Sequence, residues 1–359
     1  MTLQIIKKKI KFILYNPKTK KIFKSSIIIN CFANLIRKVY ILTNIMKILV
    51  TGGSGYIGTK LIPRLLKNKH HVINVDTQWF GHYLKNHPRL NNYKMDYLHI
   101  DKIKERNIDL VIHLASIAND PMAEIHKNLS WETSALSTMK LLEHLKKIKT
   151  KRFIYASSGS VYGIKSENKV GENLALDPIS LYNKVKMVTE RVILSYQKNF
   201  DIFIVRPATV CGFSSRMRLD VAVNALTFSA LNDKVINVHG GQQIRPNIHI
   251  DDMCELYEFF IKTNKKNAGI YNAGFENLSI INIAKKIKNE IPCKINIIKS
   301  TNDPRSYRLD SSKVRKLGFV PKKKIIDAVI ELKDLFDQKK LTNKDNYHSL
   351  KWLKKKLKK

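Results

Sequence analysis

The feature that most constrains this chain is a glycine-rich turn between an apolar strand and an amphipathic helix. Residues 47–51 form a short apolar run typical of a buried strand, and residues 56–68 show helical periodicity. Between them lies Gly52-Gly53-Ser54-Gly55-Tyr56-Ile57-Gly58. Gly52 permits a tight turn, Gly55 lets a phosphate approach the backbone, and Gly58 lets the helix pack on the strand. Because the amino end of such a helix binds phosphate, the sequence predicts a dinucleotide-binding loop.

The same alternation of strand and helix continues to Pro207. We predict strands at 47–51, 71–76, 93–95, 110–114, 153–157 and 202–206, with helices at 56–68, 128–149 and 180–199. This alternation indicates an α/β protein with a doubly wound parallel (Rossmann) sheet. Later helices are predicted at 251–262, 279–290 and 325–338, among shorter and mixed elements typical of a smaller α/β lobe.

These patterns divide the chain into four parts. We predict a basic extension at residues 1–45 and a dinucleotide-binding domain at residues 46–212. Residues 213–338 are mainly a second lobe interleaved with the first domain, and residues 339–359 are a basic tail that we expect to be solvated.

The charge of the chain is strongly positive, with 65 Lys and Arg against 29 Asp and Glu. The lysines are scattered over most predicted helix faces, which indicates a compositional bias, and no nucleic-acid-binding motif is present. We therefore predict no specific nucleic-acid partner. Salt-sensitive binding without sequence preference is the alternative.

Residues 1–45 hold ten Lys or Arg and no acid. They contain no clear secretory signal and no run long enough to span a membrane, so we predict no integral membrane segment. We interpret them as a disordered extension or the product of an upstream start codon, with an amphipathic membrane anchor as the alternative. The cysteines show no metal-ligand spacing, so we expect no metal site and a reducing, cytoplasmic environment.

Two further patterns indicate chemistry. Asp76 ends the second strand, where an acid accepts hydrogen bonds from a ribose and repels a 2′-phosphate, which favours NAD over NADP. Tyr182 and Lys186 stand four residues apart on one helix face. A nearby ammonium and an oxidised nicotinamide favour the phenolate, so Tyr182 is predicted to act as the base.

From about Met46 to Pro321 the chain resembles the extended short-chain dehydrogenases/reductases of the nucleotide-sugar epimerase/dehydratase group. Besides the glycine loop and the Tyr182/Lys186 pair, the matching segments are Met95-Asp96-Tyr97, His113-Leu114-Ala115-Ser116, and residues 155–163, 206–212, 245–252, 271–274 and 303–308.

The resemblance implies a role for each matching residue. Ser158 would be the active-site hydroxyl beside Tyr182 and Lys186. The implied cofactor residues are Gly52, Gly55, Tyr56, Ile57, Gly58, Asp76, Asp96, Tyr97, Leu114, Ala115, Ser116, Tyr182, Lys186 and Pro207. Arg245 and Arg305, joined by Asn224 and Ser158, would hold a nucleoside-diphosphate sugar. The domain at 46–212 would thus bind NAD and carry the catalytic helix, the lobe at 213–338 would mainly bind the substrate, and its loop at 214–220 would help shape the sugar pocket. The helices at 128–149 and 180–199 would form a homodimer interface.

Two residues depart from the family pattern. Dehydratases of this group usually carry an acid two residues before Tyr162, where this chain has Ser160. Ser134 replaces an Asn that usually joins a strand to the long helix. The missing acid makes a dehydratase a less favoured function. The change to Ser134 affects only how well ordered the active site is.

The resemblance therefore implies an NAD-dependent epimerase of a nucleoside-diphosphate sugar. Tyr182 would remove a hydroxyl proton at C4, NAD would take the hydride, and the keto-sugar would turn before the hydride returns. The alternatives are a keto-sugar-nucleotide reductase or dehydrogenase, then a 4,6-dehydratase, then a non-catalytic dinucleotide-binding protein.

Overall fold

Seven parallel strands form the central sheet. The computed structural model describes residues 45–299 and 306–357, together with two short strands, Tyr15–Asn16 and Lys21–Ile22. The strands after residue 45 are β1 Lys47–Thr51, β2 His71–Asp76, β3 Leu90–Lys94, β4 Leu110–His113, β5 Arg152–Ala156, β6 Asp201–Pro207, β7 Thr209–Cys211, β8 Val235–His239, β9 Ile244–His249, β10 Gly269–Ala273, β11 Glu276–Ser279 and β12 Lys294–Ile298. The central sheet has the order β3-β2-β1-β4-β5-β6-β10. The predicted doubly wound parallel sheet is confirmed.

The helices that accompany these strands are α1 Gly58–Lys67, α2 Asp120–Ile125, α3 Lys127–Trp131, α4 Ser137–Lys147, α5 Leu181–Leu194, α6 Ala222–Asn232, α7 Ile250–Lys262, α8 Ile280–Glu290, α9 Ser312–Lys316, α10 Ile325–Asp337 and α11 Ser349–Leu357. None of the helices in the described ranges is long and apolar enough to cross a bilayer.

The sheet is buried on both faces because its strands are apolar at successive positions. In β1, Ile48 and Val50 belong to the core on one face, and Leu49 belongs to the core on the other. In β4, Ile112 and Val111 divide between the two cores in the same way. Side chains alternate between the faces of a strand, so an unbroken apolar run covers both.

The two short strands near the N-terminus pair antiparallel within a unit of residues 1–45, which is distinct from the unit of residues 46–359. The expectations of a disordered extension or a membrane anchor fall on residues that are almost all outside the described part of the chain.

The second half of the chain builds a smaller lobe and also returns to the central sheet. Strand β9 pairs with β7 in parallel and with β11 antiparallel, and β8 pairs with β12 in parallel. Helices α6, α8 and α10 pack around a separate apolar core that includes Val223, Ile283 and Val329. Strand β10 adds to the edge of the central sheet beside β6, so the two lobes interleave.

Three elements differ from the sequence-based predictions. Strand β3 begins at Leu90, earlier than predicted, because this edge strand is mostly exposed and has little apolar pattern. The predicted helix 128–149 is interrupted by a π-helical turn at Glu132–Leu136, where the Ser137 hydroxyl donates to the Glu132 carbonyl at 2.7 Å. Strand β10 was not predicted as part of the central sheet.

The C-terminal strap, which we define as residues 339–357, is packed against the protein rather than solvated as expected. Leu341, Tyr347 and Leu353 are each less than a tenth exposed. Leu353 lies in an apolar cluster with Ile117 and Met122 from the segment after β4. The expectation of a solvated tail is therefore wrong for this segment, because its apolar residues have a core to join.

We expect Leu353→Ala to lower the free energy of unfolding by about 2–5 kcal/mol, because it leaves a cavity in a packed cluster. Urea denaturation followed by circular dichroism would measure the change. Val320→Ala, at a side chain that is 65% exposed, should change stability by no more than about 0.5 kcal/mol. Equal stabilities of Leu353→Ala and the wild type would contradict the packing of the strap.

Candidate active site

The turn between β1 and α1 is shaped by its glycines. Gly52 has a φ of +73°, and a Cβ there would lie 2.6 Å from the Ala115 nitrogen. A Cβ on Gly58 would lie 2.4 Å from the Gly53 Cα. At Gly55, a Cβ would meet the Gly52 carbonyl oxygen at 3.1 Å and no other described atom within 4 Å. The turn is therefore tightly packed on one side and open on the other, where the amino end of α1 borders a cavity.

Two carboxylates follow the strands beside this turn. Asp76 accepts hydrogen bonds from the Ser54 amide at 2.9 Å and the Gln78 amide at 2.6 Å. Burial raises the pKa of Asp76, and these two hydrogen bonds oppose the rise. Asp96 follows β3 and caps the short 3₁₀ helix Tyr97–Lys102. Both acids border the same cavity.

The cavity has a volume of about 580 Å³ and lies at the carboxyl end of the central sheet. The structure brings most of the predicted site residues to its wall: Gly52, Gly55, Tyr56, Ile57, Gly58, Asp76, Asp96, Tyr97, Leu114, Ala115, Ser116, Ser158, Tyr182, Lys186, Pro207 and Arg245. The parallel strands explain this convergence, because their carboxyl ends meet at one edge.

Tyr182 and Lys186 lie one turn apart on α5. Ser180 caps this helix by accepting a hydrogen bond from the Asn183 amide at 3.2 Å. Lys186 Nζ donates to the Ala156 carbonyl oxygen at 2.7 Å and lies 5.9 Å from the centre of the Tyr182 ring. The end of β5 therefore fixes the ammonium beside the tyrosine.

Burial dominates the titration of both side chains. It raises the pKa of Tyr182 to about 12, with Asp120 adding to the rise and with Ser158 and Arg218 opposing it. It lowers the pKa of Lys186 to about 7. The sequence predicts a phenolate when Lys186 and an oxidised nicotinamide are both nearby. In the protein alone burial outweighs the effect of Arg218, so Tyr182 is a neutral phenol at neutral pH.

Ser158 and Ser160 stand at the start of a short 3₁₀ helix, Gly159–Tyr162. The Ser158 Oγ accepts from the Ser160 amide at 3.2 Å and lies 2.7 Å from the Ser160 Oγ. The Ser160 hydroxyl donates to the Asn183 side-chain oxygen. Ser160 therefore ties this helix to α5 at the position where dehydratases of this group usually carry an acid.

A buried ion pair between Arg206 and Glu190 anchors helix α5 to the central sheet. Arg206 and Glu190 lie 2.7 Å apart with side chains only 3% and 2% exposed. The Ser157 hydroxyl also donates to Glu190, and Arg206 donates to the Tyr162 hydroxyl at 2.7 Å. This network joins β5, β6 and α5, so the positions of Ser158 and Tyr182 depend on one polar cluster.

Ser134 makes the connection that the missing Asn would make. Its Oγ lies 3.3 Å from the Ser116 Oγ, which joins the loop after β4 to the π-helical turn. Beside it the buried His113 ring lies between the hydroxyls of Thr51 and Thr138, at 2.5 Å and 2.9 Å. Burial lowers the pKa of His113 to about 3, so the ring is neutral.

The predicted substrate residues are placed differently from one another. Arg245 is 8% exposed and lines the cavity. Asn224 is buried away from the cavity wall, with its amide bonded to the Gly212 amide at 2.9 Å and to the Tyr56 hydroxyl at 3.0 Å. It therefore braces the loop after β7. Arg305 lies outside the described residues.

Sequence reasoning missed Trp79, Phe80, Asn119, Asp120 and Ser349 of the cavity wall. The loop at 214–220, expected to shape the sugar pocket, brings Arg216, Arg218 and Asp220 to the same wall. Arg218 pairs with Asp220 at 2.8 Å. The closely spaced Arg216 and Arg218 in one loop were a signal that could have indicated an anion nearby. No sequence pattern indicated that Ser349 borders the cavity, because the C-terminal segment that carries it was expected to be solvated.

The buried ammonium predicts a pH dependence of stability. The pKa of Lys186 falls from an ordinary 10.5 to about 7 on folding, so between these values the unfolded state binds more protons and stability rises with pH. Lys186→Met removes this contribution. The free energy of unfolding of the wild type relative to the variant should therefore increase between pH 7 and about pH 9, as measured by urea denaturation.

The matched control is Lys184→Met, at an exposed position on the same helix, which should show no such increase. If the stability difference between the wild type and Lys186→Met were constant over this pH range, Lys186 would not be desolvated.

Comparison with known proteins identifies the family. Residues 48–274 match the NAD dependent epimerase/dehydratase family. The chain is 27% identical over 316 residues to the UDP-glucose 4-epimerase of Lactobacillus helveticus, covering 79% of this chain and 95% of the relative. It is 30% identical over 292 residues to the uncharacterized UDP-glucose epimerase YtcB of Bacillus subtilis, covering 76% and 92%.

A solved structure agrees with these matches. The crystal structure of UDP-glucuronic acid 4-epimerase from Bacillus cereus, in complex with UDP-glucuronic acid and NAD, has a TM-score of 0.70 and 30% identity to this chain. The match covers 82% of this chain and 99% of that one. The chain therefore belongs to the NAD dependent epimerase/dehydratase family.

Proposed function

We propose that this protein is an NAD-dependent epimerase that inverts C4 of a nucleoside-diphosphate sugar. One observation carries the proposal: Tyr182 and Ser158 border the same cavity as the open side of the glycine turn. A hydroxyl-handling pair and a phosphate-binding turn in one cavity are what reversible oxidation of a sugar alcohol requires. The 4-epimerases among the relatives support this reaction and a UDP-sugar as the substrate.

The residues at one end of the cavity fit NAD. The open side of the turn at Gly55 admits a diphosphate, which the amino end of α1 attracts. The Asp76 carboxylate borders the same space and suits a ribose diol. Bound NAD would supply a reversible acceptor for the C4 hydride and, when oxidised, a positive charge.

In the proposed cycle, Tyr182 exchanges the proton of the C4 hydroxyl. Its pKa of about 12 keeps it neutral until positive charge enters the cavity, because burial opposes the phenolate. Arg218 already acts in the same direction. The Ser158 hydroxyl would donate a hydrogen bond to the C4 oxygen of the sugar. This bond would stabilise the negative charge that develops on the oxygen as its proton leaves.

The far end of the cavity would hold the nucleoside diphosphate. Arg245 is nearly buried at the wall, and a forked guanidinium suits a diphosphate. The resemblance adds Arg305 to this role. With the nucleotide held at one end, the keto-sugar can turn within the cavity and present its other face.

One hydrogen bond and the presence of two residues weigh against a dehydratase and against a non-catalytic protein. Ser160 stands where a dehydratase carries an acid, and its hydroxyl is engaged with Asn183. A non-catalytic dinucleotide-binding protein needs neither Tyr182 nor Ser158. A reductase remains the second candidate, since it would use the same residues with an exchangeable cofactor.

We also propose a cytoplasmic homodimer. The π-helical turn and α4 expose two large apolar side chains, Leu136 at 54% and Met139 at 43%. These side chains lie on the segment that the family resemblance assigns to a dimer interface. The described cysteines, Cys211, Cys254 and Cys293, are free, as is typical of a reducing compartment.

Tyr182→Phe should lower kcat by about a hundredfold to ten thousandfold, because it removes the proton-transfer group. The assay incubates UDP-, GDP-, CDP- and dTDP-sugars with catalytic NAD and identifies products by proton NMR. A new stereoisomer without net NADH would support the epimerase, and stoichiometric NADH change would support the reductase. Tyr196→Phe, which removes a hydroxyl bonded to the exposed Glu143, should keep full activity.

Replacing both Leu136 and Met139 with Glu should convert the dimer to a monomer, because it places charge in an apolar interface. Size-exclusion chromatography with light scattering would measure the mass. Val320→Glu, at another exposed apolar residue, should leave the mass unchanged. A monomeric wild type, or a double variant that stays dimeric, would refute this interface.

A further inference from the structure

Arg216 is a buried cation at the wall of the cavity. Its side chain is 3% exposed and donates to the Ser349 hydroxyl at 2.8 Å. Within the described ranges, its Nε has no hydrogen-bond partner and its guanidinium forms no ion pair with a carboxylate. The neighbouring Asp220 is committed to Arg218 at 2.8 Å. Arg216 is therefore a charged group whose hydrogen-bonding capacity the described protein does not satisfy.

The loop that carries Arg216 places it beside the dinucleotide-binding elements. The Arg216 amide donates to the Thr59 hydroxyl at 3.3 Å, and Thr59 lies in the first turn of α1. The guanidinium lies 4.1 Å from the centre of the Phe80 ring, four residues beyond Asp76. Arg216 thus stands between the amino end of α1 and the end of β2.

A buried cation that forms no ion pair with a carboxylate is unfavourable unless another anion binds to it. Burial and repulsion from Arg218 lower the pKa of Arg216 to about 10 and the Asp220 carboxylate opposes them, so the group keeps its charge at neutral pH. The protein therefore maintains a positive charge with an unused donor at the cavity wall.

The position of the Arg216 guanidinium indicates which anion it would bind. The amino end of α1 already favours a phosphate group, and Arg216 adds a forked donor near the same turn. A 2′-phosphate on the ribose would instead approach Asp76, whose carboxylate would repel it. The diphosphate bridge of the dinucleotide is therefore the anion best matched to Arg216.

We propose that Arg216 binds the pyrophosphate of the dinucleotide cofactor, and that Ser349 of the C-terminal strap positions it. This inference rests on the proposed function for the identity of the ligand. It assigns to the strap a role in holding the cofactor.

The strap is fastened on both sides of Arg216. The Ser349 amide donates to the Asp220 carboxylate at 3.0 Å. On the other side, Asn346 donates to the Phe80 carbonyl oxygen at 2.8 Å, and Trp352 donates to the Trp79 carbonyl oxygen. The strap thus fixes the arginine and the ring on which it lies. A tightly bound cofactor suits a reaction in which NAD must return to the sugar the hydride that it accepted.

The test measures ligand binding by the full-length protein after its cofactor has been removed. Isothermal titration gives Kd for NAD and ADP-ribose, and ligand-observed NMR gives Kd for adenosine, which lacks phosphate. Arg216→Met should weaken NAD and ADP-ribose about ten- to hundredfold and leave adenosine unchanged. Arg216→Lys should recover part of the loss, and Ser349→Ala should weaken NAD by about threefold to tenfold, since it removes only the positioning hydrogen bond.

Arg191→Gln is the matched control, because it removes one positive charge from an exposed position outside the cavity wall. It should leave all three affinities unchanged, which separates a local contact from the overall charge. Thermal unfolding of each ligand-free variant establishes that the fold is intact.

Three outcomes would overturn the inference. Equal NAD affinities of Arg216→Met and the wild type would exclude the contact. Equal losses for adenosine and NAD would assign Arg216 a structural role. A loss confined to NADP, titrated in the same way as NAD, would place Arg216 at the ribose 2′ position. A wild type that binds no NAD would refute the proposed function itself, whereas the first three outcomes leave it standing.

Discussion

Burial of the Lys186 ammonium is the constraint on which the rest of the site depends. A cation in a dry position needs compensation, and Lys186 receives it from the Ala156 carbonyl and from Glu190 one turn away. Glu190 is itself neutralised by Arg206, so the cluster adds little net charge beneath the cavity. The nearby His113 ring is neutral chiefly because it is buried, and repulsion from Lys186 lowers its pKa further.

Local patterns predicted several residues that line the cavity. The glycine turn, Asp76 and the Tyr182/Lys186 pair each depend on residues close in sequence, held by a strand-turn-helix unit or by a single helix. The doubly wound sheet followed from the same alternation. These features were predictable because neighbouring residues determine them.

Long-range contacts account for what the sequence did not reveal. Ser349 reaches the cavity only because Leu353 and Tyr347 find apolar surface elsewhere in the fold. Asn224, predicted to bind substrate, lies away from the cavity wall because its side chain accepts from the Gly212 amide and donates to the Tyr56 hydroxyl, groups that are distant in sequence. The raised pKa of Tyr182 has a similar origin, because burial depends on the whole cavity and cannot be predicted from helix spacing.

The strap has a consequence for how the protein is made. Trp352 and Trp79, which it joins, are 273 residues apart in the chain. The amino-terminal part of a chain generally folds first during synthesis, and contacts of such long sequence separation form late. The glycine turn and the first strands therefore leave the ribosome long before the segment that completes the pocket around Arg216. A nascent chain would pass through a stage in which the sheet is assembled but the cavity is open, until residues 339–357 have been made and pack beside it.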